Sequence, residues 1–271
     1  MAEDYSATQL LKWYVESGIN EALEEKPINH FLSAAAVENN EAESIRIVST
    51  DTESHAIKPA QLISQSETTK SAYAAARAAD TLEALRNAMS EFEGCPLKQT
   101  AKNLVFGDGL AGSRLMLIGE APGAQEDREG RPFVGQAGQL LERMLKAISI
   151  QRNDAYITNI LPWRPPGNRT PTDSEIGTCL PFIQRQIELV APEVLILIGG
   201  VSAKTLLGTN QGIMRTRGKW LDYKPEGGQD AIPARAILHP AYLLRSPAQK
   251  RETWMDLLEI QQKIGEFSKK R

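Results

Sequence analysis

Three polar residues accompany short apolar runs after about residue 100 of this 271-residue chain. Glu120 follows the run RLMLIG, Asn159 ends the run AYITN, and His239 ends the run ARAILH. A carboxylate can activate water, an amide can donate to and accept from the imide edge of a pyrimidine, and an imidazole can donate to an oxygen that gains negative charge. If the three share a pocket, they suit hydrolysis around a pyrimidine-like ligand.

Aromatic, acidic and basic residues would extend such a pocket. Phe133, in the segment RPFVG, offers a face on which a base can stack, and stacking is worth roughly 1–3 kcal/mol. That gain is comparable with the few kcal/mol lost when a base leaves a duplex. Glu126 is a second carboxylate. The loops after the apolar runs also carry cations where phosphates could pass: Arg164, Arg169, Arg245, Lys250 and Arg251.

Each of these residues also has a purely structural explanation. Phe133 could belong to the core, Asn159 could cap a turn, and His239 could satisfy a backbone carbonyl. Glu126 could cap a helix, and the arginines could be ordinary surface residues. However, these residues all lie beside short apolar runs or in the loops that follow them, and this shared placement favours a common pocket.

The elements that must position these residues are short apolar runs alternating with longer amphipathic segments. The runs lie at 114–119, 155–159, 194–199 and 234–239. Their length and continuity are typical of strands buried on both faces, and ligands bind parallel sheets at the carboxyl ends of such strands. We therefore predict a three-layer α/β/α domain with a short, mainly parallel sheet, and a hairpin or edge excursion over 214–223. Helices are predicted near 135–149, 173–191, 201–207 and 247–265.

The first part of the chain has a different character. Apolar residues recur at helical spacing within 6–25, so we predict an amphipathic helix in a region spanning 1–33. That helix would bind a protein partner or pack on the rest of the chain. Residues 34–70 are polar and poor in aromatics, which predicts a disordered acidic linker. The main domain is predicted over 71–271, beginning with a helix at 71–93.

The formal net charge of −3 conceals an uneven distribution. Residues 1–93 contain 7 Lys or Arg against 16 Asp or Glu, whereas residues 94–271 contain 24 against 18. An acidic arm on a basic body hints at contact with nucleic acid or a membrane. However, no window reaches the roughly 18 consecutive apolar residues of a membrane span, and residues 1–10 lack the features of a signal peptide. We expect a cytoplasmic monomer with no membrane partner.

Motifs for metals and nucleotide cofactors are incomplete. Cys95 and Cys179 are the only cysteines, and two thiols alone cannot hold a four-cysteine zinc or iron–sulfur site. The segment GGVSAKT has Ala203 where a P-loop needs glycine before Lys204, and GEAPG lacks the GxGxxG spacing. A metal, ATP and NAD are therefore all poorly supported.

Three long segments resemble the signature motifs of the family-4 uracil-DNA glycosylases. They are GEAPGAQEDREGRPFVGQAGQLL at 119–141, ITNILPWRPPGNRTPT at 157–172 and HPAYLLRSPAQKRETW at 239–254. Three such motifs in the family's order, within about residues 92–265, make the resemblance specific. It implies the three-layer glycosylase fold and an enzyme that hydrolyses the N-glycosidic bond of uracil in DNA, leaving an abasic site. Because this hydrolysis requires no lysine, we predict a monofunctional enzyme.

The resemblance implies roles for the residues that match these motifs. Glu120 lies in the water-activating motif, Asn168 is a candidate for positioning the water or the sugar, and His239 stabilises the departing uracil anion. The implied uracil-binding residues are Ala121, Glu126, Phe133 and Asn159, with Phe133 stacking on the base, Asn159 reading its Watson–Crick edge and Glu126 near C5. The implied DNA contacts are Arg164 and Arg169, followed by the wedge Leu243, Leu244 and Arg245.

The chain departs from this family at the iron–sulfur cluster. Members hold four irons through a CxxC pair, a cysteine after the second strand and a fourth cysteine further on. Here Cys95 keeps the first position and Cys179 the fourth, but Lys98 and Trp163 replace the second and third. We therefore expect no cluster. Packing around Trp163, and Lys98 paired with a neighbouring acid, would take over its structural role.

Two other functions stay open at this point. A relative that binds DNA or a damaged base without turnover is disfavoured by the presence of Glu120, Asn159 and His239. A nucleotide-binding or interaction protein would depend on the N-terminal helix. Release of uracil from an oligonucleotide would separate the three.

Overall fold

The computed structural model describes residues 65–226 and 230–269. The chain divides into two units, 1–59 and 60–271, and the described residues all belong to the second. The predicted N-terminal helix and most of the predicted linker lie outside the described residues, so both stay predictions. Within the described part, no helix combines the length and the apolar character needed to cross a membrane.

A five-stranded sheet in the order β2-β1-β3-β5-β4 forms the centre of the domain. Its strands are β1 (Leu115–Gly119), β2 (Ala155–Asn159), β3 (Val194–Ile198), β4 (Trp220–Tyr223) and β5 (Ile232–Ile237). All neighbours pair in parallel except β4, which is an antiparallel edge strand on β5. Every residue of β1, β2 and β3 is buried, which explains their continuous apolar sequences. The predicted edge excursion is therefore β4.

Helices cover both faces of the sheet, which confirms the three-layer prediction. They are α1 (Gln65–Arg77), α2 (Leu82–Glu91), α3 (Ala124–Glu129), α4 (Gln136–Ala147), α5 (Asp173–Val190), α6 (Gly200–Leu207), α7 (Ile213–Thr216), α8 (Pro240–Arg245) and α9 (Lys250–Lys269). One core cluster joins buried residues of α1, α2 and α5 to one side of the sheet. A second joins α4 and α9 to the other side.

The predicted helix over 71–93 is two helices, and it begins earlier than predicted. Helix α1 starts at Gln65, so residues 65–70 are helical, and their assignment to a disordered linker was wrong. Ala72 and Ala76 of α1 are buried in the same core as Phe182 of α5. Thr81 separates the two helices because its extended backbone and its side chain, which accepts from the Ala84 amide at 3.1 Å, cap the start of α2. Tertiary burial thus orders a segment whose composition is polar.

Candidate active site

A cavity of about 450 Å³ lies at the carboxyl ends of the parallel strands. It is lined by most of the residues singled out in the sequence: Glu120, Ala121, Glu126, Phe133, Asn159, Asn168, Arg169, His239 and Arg245. The strands supply these residues from separate parts of the chain, because β1, β2 and β5 end at the same edge of the sheet. Arg164, Leu243 and Leu244 do not line it. The predicted shared pocket is therefore present.

The floor of the cavity is set by neighbouring strand ends. Asn159 is the last residue of β2, pairs in register with Gly119 of β1, and is only 4% exposed. A Cβ at position 119 would fall 2.6 Å from Cζ of Phe133 and would also overlap the Asn159 carboxamide. Only glycine leaves room there, so a small residue at the end of β1 lets the amide and the aromatic ring approach each other.

Phe133 is both a core residue and a wall of the cavity. It is 5% exposed, and its ring stacks on that of His239 with centroids 5.8 Å apart and an angle of 30° between the planes. Its backbone has φ of +51°, a left-handed conformation that bulky side chains rarely adopt. The surrounding contacts must hold the loop in this conformation, since it is unfavourable in isolation.

Glu126 holds the loop from one side. Its Oε1 accepts hydrogen bonds from the amides of Val134 at 2.9 Å and Gly135 at 2.8 Å, the two residues after Phe133. The residue also lines the cavity. In this structure Glu126 therefore organises the loop, and the implied contact with the pyrimidine edge stays a prediction.

His239 is the N-cap of α8, and β5 ends two residues before it, at Ile237. Its Nδ1 accepts a hydrogen bond from the Ala241 amide at 3.1 Å, which assigns the ring proton to Nε2. Burial, together with the charge of Arg245, lowers the pKa of His239 to about 4, and the opposing charge of Glu126 does not offset this. The residue therefore presents a neutral ring with one N–H donor at neutral pH.

Glu120 and Asn168 complete the polar lining. Glu120 directly follows β1, and burial raises the pKa of its carboxyl group above the ordinary value. Asn168 lies in a short turn, Pro166–Asn168, where Gly167 and Asn168 have φ of +64° and +56°. Glycine and asparagine are the residues that tolerate such angles, which explains the sequence of this turn. Asn168 Oδ1 accepts from Nε of Arg164 at 2.7 Å.

The cavity's arginines differ in how firmly they are held. Arg169 donates two hydrogen bonds to the buried carboxylate of Glu175, at 2.9 and 2.6 Å, and these hold the pKa of Glu175 down at about 2. Glu175 also forms a capping box with Thr172 at the start of α5. Arg169 thus anchors the loop to a helix, while Arg245 lies exposed at the end of α8.

Comparison with known proteins identifies the family. A family model of the uracil DNA glycosylase superfamily matches residues 106–258. The chain belongs to this superfamily. The type-4 uracil-DNA glycosylase of Thermotoga maritima is 37% identical over 70% of this chain and 96% of its own. Those of Pyrobaculum aerophilum and Archaeoglobus fulgidus are 40% and 38% identical, each over 65% of this chain and over 91% and 88% of their own.

The wedge expected from the uracil DNA glycosylase superfamily is only partly available on α8. Leu243 is 1% exposed and packs in the core cluster with α4 and α9, so it is not available at the surface to act as a wedge in this structure. Leu244 is 40% exposed and Arg245 is exposed beside it. Successive residues on a helix point about 100° apart, which places one leucine inward and the next outward.

The residues at the four positions where the family-4 resemblance implies cluster ligands do not fit a four-iron cluster. The Cys95 and Cys179 thiols are buried with their sulfurs 3.9 Å apart. Lys98 forms an ion pair with Glu93 and donates to the Ser90 carbonyl at 2.7 Å, which confirms the predicted pairing with a neighbouring acid. Trp163 is 2% exposed within the same core. No group of three or more His, Cys, Asp or Glu suited to a metal occurs among residues 65–226 and 230–269.

Sequence reasoning did not single out several residues that line the cavity, Tyr242 among them, nor Arg152, which contacts the Phe133 loop. Tyr242 lines the cavity one turn into α8, and Arg152 holds the Phe133 loop from outside the cavity. The position of Tyr242 three residues after His239 on a helix could have indicated it. No local signal marks Arg152, because its partners are distant in the sequence.

Proposed function

We propose that this chain hydrolyses the N-glycosidic bond of uracil in DNA and leaves an abasic site. The observation that carries the proposal is the state of His239. The Ala241 amide occupies Nδ1, so the neutral ring keeps its N–H on Nε2, at a residue lining the same cavity as Asn159 and Phe133. A neutral donor at that place suits an oxygen that becomes negative as the base departs.

Binding of the base relies on Phe133 and Asn159, the two residues whose side chains lie closest to Gly119. The Phe133 ring would stack on a flipped uracil, and the Asn159 carboxamide would exchange hydrogen bonds with its imide edge. Asn159 is almost fully buried, so an unpaired carboxamide would be costly, and a base with a matching donor and acceptor is favoured. The roughly 1–3 kcal/mol of stacking offsets much of the few kcal/mol lost on flipping.

The chemical step breaks the bond between the sugar C1′ and the uracil N1. The bonding electron pair leaves with uracil, and the His239 Nε2–H hydrogen-bonds the O2 atom on which the negative charge gathers. Glu120 orients a water and takes its proton as the oxygen bonds to C1′. Burial raises the pKa of Glu120, which makes its carboxylate a better base. Asn168, which also lines the cavity, would hold the water or the sugar.

The proposed enzyme is monofunctional and works without an iron–sulfur cluster. None of the described residues that line the cavity is a lysine, the amine that would form a Schiff base with the abasic sugar. The Lys98–Glu93 pair and the buried Trp163 stand where two cluster ligands would be. A strand nick without added base, or close to four irons per purified chain, would contradict these two statements respectively.

Release of uracil from a labelled oligonucleotide tests the proposal. Asn159→Ala and His239→Ala should each lower the single-turnover rate by about 10²–10³-fold. This is the usual effect of removing one hydrogen-bond donor to an oxygen that becomes negative in the transition state. Asn87→Ala, on the exposed surface of α2, is the matched control and should leave the rate unchanged. Binding of uracil-containing DNA without release in the unaltered chain would instead support a non-catalytic relative.

A further inference from the structure

We propose that Arg152, which lies outside the cavity, is a positioning residue that sets the Phe133 ring for stacking on the base. The inference rests on the proposed function, because it assigns how the stacking ring is held. Arg152 precedes β2 in the short turn Arg152–Asp154, and its side chain is 14% exposed. It lies between the motifs at 119–141 and 157–172, which both contribute residues to the cavity, and it belongs to neither.

Arg152 grips the peptide groups on both sides of Phe133. Its Nη1 donates to the Phe133 carbonyl at 3.0 Å, and its Nη2 donates to the Pro132 carbonyl at 2.7 Å. These two carbonyls belong to the peptide planes that flank the Phe133 Cα, so fixing both restrains the φ and ψ angles of that residue. The restrained φ is the unfavourable value of +51°.

The guanidinium is itself fixed to the sheet. Its Nε donates to Asp108 Oδ2 at 2.9 Å, and Nη1 also donates to Glu142 of α4 at 3.0 Å. The backbone of Asp108 exchanges two hydrogen bonds with Ile157 of β2, at 2.9 and 2.8 Å. Ile157 stands two residues before Asn159 on the same strand. Arg152 and Asp108 thus connect the Phe133 loop to β2, the strand that also carries Asn159.

The other contacts of the loop hold the Phe133 backbone and the residues after it, but not the peptide before it. A Cβ at Gly138 of α4 would fall within 2.8 Å of the Phe133 Cα, so the helix packs directly on the loop backbone. Glu126 holds only the amides after Phe133. Among the residues that the structure describes, Arg152 is the only hydrogen-bond donor to the Pro132 carbonyl. Without Arg152, the peptide before Phe133 could rotate and carry the ring away from the base.

The test is a double-mutant cycle on uracil release by the full-length chain. Phe133→Leu keeps apolar volume and removes the aromatic face, and should lower the single-turnover rate about tenfold. Arg152→Met should lower it roughly three- to tenfold, since small misplacements of a binding group are costly, without changing affinity for uracil-free DNA. On the Phe133→Leu background, Arg152→Met should cost less than about twofold, because its effect passes through the ring.

Arg185→Met is the matched control. Arg185 also donates to a carbonyl, that of Ala79 at 2.9 Å, and to carboxylates, but it belongs to α5 and is not near the cavity. It should lower the melting temperature and leave the rate unchanged. Additive effects of Arg152→Met and Phe133→Leu, or an unimpaired Arg152→Met beside an impaired Phe133→Leu, would overturn the inference alone. An unimpaired Phe133→Leu would overturn both the inference and the proposed stacking.

If Arg152→Met does not fold, Arg152→Lys carries the same cycle. A single ammonium cannot span the two carbonyls and Asp108 as the planar guanidinium does, so a loss that disappears on the Phe133→Leu background is again expected. Additivity in that cycle would overturn the inference.

Discussion

His239 shows at the scale of one residue that structural and chemical roles need not compete. It caps α8 through Nδ1, which is the ordinary explanation for a polar residue at that place. The same hydrogen bond fixes the tautomer and leaves Nε2–H as the donor. Phe133 and Glu126 likewise serve the core or the loop while lining the cavity. At each of these positions, the contact that stabilises the fold also orients the side chain toward its proposed chemical role.

The charge state of His239 leads to a prediction about pH. A histidine with a pKa of about 4 is neutral above pH 5, so the form in which Nδ1 accepts from Ala241 and Nε2–H donates should persist through the range in which an ordinary histidine becomes charged. NMR of the imidazole should show a titration near pH 4, with the His239→Gln variant used to assign the signal. Neutral His239 is lost only as the pH falls through that value. A midpoint between 6 and 7 would contradict the proposed neutral donor.

At the scale of elements, α8 places two adjacent leucines in opposite environments. Leu243 faces the second core cluster, and Leu244 faces outward next to Arg245. The sequence resemblance assigns both as wedge residues because a motif match compares residue types and does not show which face of a helix is buried. Leu244 is therefore the leucine that we expect to fill the gap left by a flipped base, with Arg245 exposed beside it.

Substitution of each leucine should separate stability from duplex recognition. Leu243→Ala should destabilise the fold by about 2–5 kcal/mol, as expected for a buried leucine. Leu244→Ala should change stability by less than about 0.5 kcal/mol but slow uracil release from duplex more than from single-stranded DNA, which needs no wedge. Chemical denaturation and rates on the two substrates are the measurements. An equal slowing on both substrates would contradict a wedge role for Leu244.

At the scale of the whole molecule, the net charge is a poor guide to the partner. The total of −3 averages an acidic first third with a basic remainder. The described domain places arginines around the cavity, although Arg169 is already neutralised by Glu175. We therefore expect the proposed DNA binding to depend on the local field near the cavity, and its salt dependence to follow the number of cations there that are not already paired.

Arg245 and Arg169 should contribute unequally to that salt dependence. Arg245→Met should reduce the slope of log affinity against log salt by about 0.9 if the side chain contacts one phosphate. Arg169→Met should change the slope less, because its guanidinium is bound to Glu175 in the free protein. Affinity for an uncleavable duplex at several salt concentrations measures both. A larger change for Arg169→Met would contradict this ranking.

The central strands and the polar residues at their carboxyl ends could be predicted because their signals are local. A strand buried on both faces must be apolar at successive positions, and a polar residue directly after it must lie at the sheet edge. The start of α1 at Gln65 could not be predicted in this way. Its helix is stabilised by burial of Ala72 and Ala76 against distant residues, while its own composition is that of a polar linker.

The sequence by itself determined the fold class, the family resemblance and the residue types available for catalysis, since these depend on runs and motifs that are contiguous in the chain. Only the tertiary structure decided which leucine of α8 is exposed, that Arg169 is already paired, and that Arg152 reaches the loop of Phe133. These features depend on which face of a helix is buried and on side-chain contacts that join different elements, such as that of Arg152 with Pro132, twenty positions away. Such contacts leave no local pattern, because the chain specifies them only through the packing of the whole domain.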